Sequence, residues 1–176
     1  MQKILVSAAA LMLLAACGTT SAPRQAQQGG QQQAPVEEVA ISTDTGMQLA
    51  RVDSIDGRVE VAYTCDSRNG KQKVRVMYGV KDGTLVVAQT LINNEPSPGL
   101  YRVLNDANGD TQNSYFGEGI TWTTAKATPA NVTKVNGNML TQAGTDTVNG
   151  KQVQVDNILL KSCVLDKAAT AKLNKK

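Results

Sequence analysis

The chain has 176 residues, a mass of 18.6 kDa and a formal net charge of +3. That size suggests a single domain, and the net charge is too small to imply nucleic acid or an acidic membrane surface as a partner. There is no histidine, which excludes every mechanism that uses imidazole as base, acid or metal ligand. The three cysteines are odd in number, so at least one sulfur has no intramolecular partner.

Residues 1–16 read as a signal peptide. One cation, Lys3, precedes an almost unbroken apolar run from Ile4 to Ala16. The run has the length of a signal core and is too short to span a bilayer. It ends in Leu14-Ala15-Ala16-Cys17-Gly18, which resembles a bacterial lipobox. Small residues precede the cysteine there because a peptidase must approach that backbone closely. On this reading Cys17 carries a thioether-linked diacylglycerol and becomes the mature N-terminus. Soluble secretion, with cleavage after an Ala-x-Ala-like site, is the alternative. Gly18 in place of Asp resembles an outer-membrane address. More than one acyl chain makes such anchoring stable, each buried methylene adding about 0.8 kcal/mol.

Residues 17–57 read as the lipidated cysteine and a flexible tether. Thr19–Pro35 is rich in Gln, Gly, Ala and Pro without apolar periodicity, so it cannot bury enough surface to offset chain entropy. From Val36 to Asp56 the scattered apolar residues fit either a short strand or a helical turn. Fully flexible, 18–58 would have a root-mean-square span of roughly 35 Å, enough to hold a domain clear of lipid headgroups.

Residues 58–166 read as an all-β domain. Val59, Val61, Tyr63 and Cys65 alternate with polar or small residues, and Val74, Val76 and Tyr78 alternate with Lys73, Arg75 and Met77. Asp66–Gly70 between them makes a hairpin. Leu85–Ile92 is the next strand, after Lys81-Asp82-Gly83. Asn93–Gly99 is expected to be a loop, because its two prolines cannot donate to a ladder. Leu100–Leu104, Tyr115–Lys126 and Ile158–Val164 are strand-like. Asn136-Gly137 and Asn149-Gly150 signal type I′ hairpins. The total is seven to nine short strands, which suggests a small antiparallel barrel or sandwich. A secretory signal implies an oxidising compartment, so Cys65 and Cys163 are expected to pair and join the first and last strands. Closing a loop of about 100 residues contributes about 4–5 kcal/mol in the chain-entropy account. The tail, 167–176, has four lysines and no acid. It reads as a frayed solubilising end or, alternatively, as a contact for anionic envelope polymers.

Chemistry is sparse. Without histidine no Ser–His–Asp triad can form, and the cysteines are assigned to lipid and disulfide. Gly117-Glu118-Gly119 lacks the third glycine of a phosphate loop. Carboxylate pairs such as Asp106/Asp110 or Glu95/Glu118 would suit a glycosidase, but loop carboxylates are common. The chain therefore reads as a non-enzyme without a cofactor. Asp106, Asn108 and Asp110 start like a calcium loop. The pattern then departs, with Thr111 where Gly is required and Gly117 where a bidentate Glu is required. An Asn/Asp/Gly turn is the simpler reading.

Tyr63-Thr64-Cys65, the segment Lys71–Gly79, Tyr115-Phe116-Gly117-Glu118-Gly119 and Leu160-Lys161-Ser162-Cys163 resemble the adhesin complex protein family of Gram-negative bacteria. That family is similar in turn to the membrane-bound inhibitors of c-type lysozyme. The resemblance covers about residues 58–166. It implies an eight-stranded barrel whose ends are joined by a disulfide, inhibition of host c-type lysozyme, and adhesion to host cells with surface immunogenicity as further traits. Inhibitors of this group show Ser-Gly-x-x-Tyr, then a strand with Trp and a Lys soon after. Here Tyr115 matches the Tyr, Trp122 the Trp and Lys126 the Lys, while Trp122 also suits the core. Ser-Gly is missing, and Gly109 and Ser114 flank its place in the longer loop Asn108–Ser114. The expected partner-binding set is therefore Asn108, Gly109, Asp110, Ser114, Tyr115 and Lys126, in a loop spanning 105–118. Asp106, Asp110 and Glu118 would give local attraction to a basic lysozyme. Adhesion to host cells or matrix is the competing function, and the outer membrane is the expected location.

Overall fold

The computed structural model describes residues 40–43 and 46–175. The expected signal peptide, the lipidation site Cys17 and the tether through Val39 lie outside the described residues.

Eleven strands appear in chain order: β1 Ala40–Ser42, β2 Gln48–Ala50, β3 Gly57–Ser67, β4 Gly70–Lys81, β5 Thr84–Ile92, β6 Glu95–Pro96, β7 Leu100–Arg102, β8 Gln112–Gly117, β9 Ile120–Ala125, β10 Gly137–Val148 and β11 Lys151–Leu165. The helix α1 Lys167–Leu173 follows, and a 3₁₀ turn lies at Val132–Lys134. Eight of the strands close an antiparallel ring, β3-β4-β5-β7-β8-β9-β10-β11 and back to β3. This is the expected all-β barrel. Cys65 and Cys163 form the expected disulfide across a separation of 98 residues, joining β3 to β11.

Alternation decides what fills the ring. Val61, Tyr63 and Cys65 on β3 and Val74, Val76 and Tyr78 on β4 all point inward and are buried, because successive side chains of a strand face opposite sides. Trp122 and Tyr115 join them. The polar tips of Tyr63, Tyr78 and Trp122 pair with one another, whereas the buried Tyr115 Oη has no hydrogen-bond partner among the described residues. Trp122 Nε1 donates to Tyr78 Oη at 2.9 Å, and Tyr78 Oη lies 3.2 Å from Tyr63 Oη. A buried indole or phenol without such a partner would be costly.

The structure departs from the sequence expectations in five places. Tyr115–Lys126 is two strands, broken by a turn in which Glu118 and Gly119 both take positive φ, 49° and 76°. Asn149-Gly150 is the expected I′-like hairpin turn, with φ of 52° and 75°, whereas Asn136-Gly137 is no turn. Gly137 opens β10, and a Cβ there would lie 2.6 Å from Trp122 Cη2. The glycine makes room for the indole. Within Asn93–Gly99, Glu95–Pro96 pairs with Ile92 and Leu91, a short edge pairing that proline tolerates.

The last two departures lie at the ends of the domain. The stretch expected to be tether is already seated by residue 48. Gln48 N donates to Asn105 Oδ1 (2.9 Å), Leu104 N donates to Gln48 O (2.8 Å), and Leu49 and Ala50 are buried. The lysine tail is not frayed either. Asp166 caps α1 by accepting from Ala169 N at 3.0 Å, and Thr170 is buried against β3.

One element leaves the barrel. β9 pairs with β10 only as far as Gln142, and β3 pairs with β11 only from Lys161 onward. Beyond Ala143, whose N–H still reaches Gly119 O at 2.7 Å, β10 and β11 pair solely with each other from Gly144 to Val155. They form a projecting two-stranded ribbon with Val148 and Val153 exposed.

Candidate functional site

The loop after β7 is organised by one carboxylate. Asp106 Oδ1 accepts from Asn108 N (2.9 Å), and its main-chain O accepts from Gly109 N (2.9 Å). Asp106 Oδ2 accepts from Ser114 Oγ (2.5 Å) and Gln112 Nε2 (3.2 Å). An aspartate bonding the backbone two residues on is the usual device of a tight Asx turn. Partial burial pushes the Asp106 carboxyl up. The Ser114 hydroxyl, the Asn108 N–H, the Gln112 amide and the charge of Arg102 outweigh that and hold it below the ordinary carboxylate value.

Both flanks of the loop are braced. On one side Asn105 accepts from Gln48 N and donates through Nδ2 to Gly46 O (3.1 Å). On the other, Lys126 N donates to Thr111 O (2.9 Å), and its ammonium donates to Gly109 O. A polar cleft of about 380 Å³ lies between them, with Arg102, Asp106, Asp110 and Lys126 among its walls. Arg102 shares the inward face of β7 with Leu100. Its guanidinium stands 5.7 Å from the centroid of the Tyr115 ring, a cation–π distance.

Of the residues expected to touch a partner, Gly109, Asp110 and Lys126 line this cleft, and Asn108 stands next to them in the same loop. Asn108, Asp110 and Lys126 are exposed, and Gly109 is half-buried. Ser114 and Tyr115 are buried, at 6% and 0% exposure. Ser114 is spent on Asp106. Tyr115 packs in the barrel with its ring centroid 5.8 Å from that of Tyr78. Both therefore hold the loop from beneath rather than meet a partner. Trp122 is core, as its dual reading allowed. Glu118 is at the β8–β9 turn, the far end of β8 from the loop, so it adds no charge to the cleft.

Asp106 turns its carboxylate inward to Ser114 and Gln112, and no group of three His, Cys, Asp or Glu residues among the described residues is placed to hold a metal. Arg102, Gln112 and Asn105 were not singled out in the sequence. For Arg102 a signal existed, since two-residue spacing puts it on the same strand face as Leu100. Asn105 pairs with the backbone of residues 46 and 48, a contact no local pattern encodes.

Asp106 and Lys126 at this cleft are tied into loop architecture, and the disulfide occupies Cys65 and Cys163. A small closed barrel so arranged is consistent with a protein that binds rather than catalyses. No helix among the described residues is long and apolar enough to cross a membrane. Comparison with curated proteins finds no match. In comparison with protein families, residues 59–165 match the ACP-like domain, Nm-ACP, of the adhesin complex proteins. The match runs from β3 through β11, the whole barrel, and points to a surface-exposed protein of adhesin type. The chain belongs to the ACP-like domain family.

Proposed function

We propose that the protein is an outer-membrane lipoprotein, anchored through Cys17, whose barrel binds and inhibits c-type lysozyme by presenting the Asn105–Thr111 loop to the enzyme's cleft. The observation that supports this most is the bracing of the loop on both flanks, by Asn105 and by Lys126. A preorganised plug loses little conformational freedom on binding, and this favours affinity without any chemistry of its own. Lysozyme carries two catalytic carboxylates in its cleft. Lys126 gives one hydrogen bond to Gly109 O, and an ammonium has three donors, so others remain for a carboxylate. The exposed Asn108 amide adds a neutral donor beside it. Asp110 supplies local attraction to a basic enzyme, which a domain with balanced charge would otherwise lack.

Clearing of a Gram-positive cell-wall suspension by c-type lysozyme, with the protein in excess, tests this reading. Clearing should slow, and Lys126→Ala combined with Asn108→Ala should weaken inhibition on the order of tenfold, as hot-spot truncations do. Undiminished clearing removes the reading.

A second reading, adhesion to host cells or matrix, is favoured by the family match over 59–165. It expects purified protein to attach to epithelial cells or matrix proteins. Absence of attachment counts against it.

A further inference from the structure

The barrel wall around α1 carries unmatched positive charge. α1 contains no acid. Lys167 and Lys172 stand exposed on it, Lys175 stands exposed just beyond it, and Lys134 is exposed on the neighbouring 3₁₀ turn. On the adjoining strands the cations are matched: Lys71 with Asp66 at 2.5 Å, Lys73 with Asp166 at 2.9 Å and Arg75 with Glu60 at 3.5 Å. None of Lys134, Lys167, Lys172 and Lys175 makes an ion pair with a described residue.

Two grooves flank the helix. One, of about 490 Å³, has Lys134 and Lys167 on its walls with Thr170 and Ala171, and no carboxylate. The other, of about 600 Å³, brings Lys172 together with Lys73 and Arg75 beside Ala62, Leu91 and Leu173. Its acid, Asp166, is already engaged by Lys73 and by Ala169 N. Each groove thus sets ammonium groups against apolar surface. A phospholipid headgroup layer offers the complementary pair, phosphate beside glycerol and acyl chain. The lysines are also held in place, because Thr170 and Asn174 fasten α1 to β3, so less freedom is lost when they meet a charged surface.

We propose that the α1 face is a docking surface for an anionic phospholipid membrane. Each lysine brought to such a surface strengthens binding roughly fivefold, and the effect weakens with salt. The surface is separate from the Asn105–Thr111 loop and does not depend on lysozyme binding.

The test uses the full chain carrying Cys17→Ser, so that no attached lipid contributes. It is floated with vesicles of phosphatidylcholine alone and with vesicles that also contain phosphatidylglycerol. A second chain adds Lys134→Gln, Lys167→Gln, Lys172→Gln and Lys175→Gln. The apolar run Ile4–Ala16 is common to both chains, so it cancels in the comparison. The first chain should prefer phosphatidylglycerol vesicles by more than about tenfold, with the preference shrinking as salt rises. The second should lose the preference while keeping its thermal midpoint. Equal retention on both vesicle types overturns the proposal, as does a preference that survives the four substitutions. Capture by soluble polyglutamate without capture by phosphatidylglycerol vesicles would overturn it in favour of an acidic protein partner.

Discussion

Thr170 closes the open edge of β3 at Ala62. Its hydroxyl accepts from Ala62 N at 2.9 Å and lies 3.4 Å from Ala62 O as donor. Asn174 repeats the contact one helical turn on, accepting from Glu60 N at 3.3 Å and donating to Glu60 O at 2.7 Å. The match is one of spacing. Four residues of helix rise about 6 Å, and two residues of strand about 6.8 Å. Side chains four apart on α1 therefore meet backbone groups two apart on β3, where β11 has ended.

Removing the Thr170 hydroxyl should leave the half-buried Ala62 N–H unpaired, while Ala62 O still accepts from Asp166 N at 2.9 Å. Thr170→Val, close in shape, is expected to cost about 1–3 kcal/mol, read as a lower urea midpoint with the slope unchanged. An unchanged midpoint would mean that water replaces the hydroxyl at no cost.

The cap of α1 should be sensitive to acid. The Ala169 N–H and then the Lys73 ammonium hold the Asp166 carboxyl below its ordinary value of 3.8. A depressed folded-state value gives stability that is present above pH 3.8 and lost as pH falls through the lower value. Hydrogen exchange at the α1 amides should accelerate only in that acidic window, and Asp166→Asn should flatten the response.

The barrel interior should resist base until late. Burial pushes the Tyr63 phenol up to about 12 and raises Tyr78 and Tyr115 as well. A raised folded-state value means stability complete below the unfolded value near 10 and lost as pH climbs through about 12. Tyrosinate absorbance should therefore rise in step with unfolding rather than before it. Ionisation of three buried phenols in a chain that remains folded would contradict this.

Gly137 is a packing residue. A Cβ there would lie 2.6 and 2.8 Å from the Trp122 ring and 3.0 Å from Cys163 Cβ. Gly137→Ala should cost about 1–3 kcal/mol, as overpacking does. It should also shift the emission of Trp122, the single tryptophan. An unshifted emission spectrum would show that the indole does not feel the added methyl.

The Cys65–Cys163 bond staples the seam where β3 meets β11. Their register slips between Lys161 and Val164, and Ser162 takes φ of 50° inside the irregularity, so the backbone ladder is thin there. Reduction, or Cys65→Ala with Cys163→Ala, is expected to cost about 4–5 kcal/mol on the chain-entropy account. Chemical denaturation with and without reductant measures it.

The projecting part of β10 and β11, 144–155, should be the least protected strand segment. A two-stranded ribbon is marginal by itself. Its amides should exchange faster than those of Val74–Tyr78 in the barrel, and proteolysis should begin near Asn149-Gly150. Equal protection would indicate that another surface covers the ribbon in solution.

Local pattern carried much of this protein. Two-residue alternation of Val61, Tyr63, Cys65, Val74, Val76 and Tyr78 was enough to expect strands and their buried face, because a strand's faces are written in consecutive residues. Two cysteines behind an expected secretory signal were enough to expect their bond, and Asn149-Gly150 its turn. What depended on distant partners could not be read that way. Gly137 looks like a turn glycine until Trp122 is placed against it. Tyr115 looks like a contact residue until the ring closes around it. Thr170 and Asn174 look like part of a loose lysine tail until β11 ends and leaves β3 unpaired beneath them. Asn105 gains its role only from the backbone of residues 46 and 48, more than fifty residues earlier. Periodicity reports the two faces of a single element. Which groups a closed barrel leaves unpaired, and which side chain then meets them, is decided only when the ring has closed.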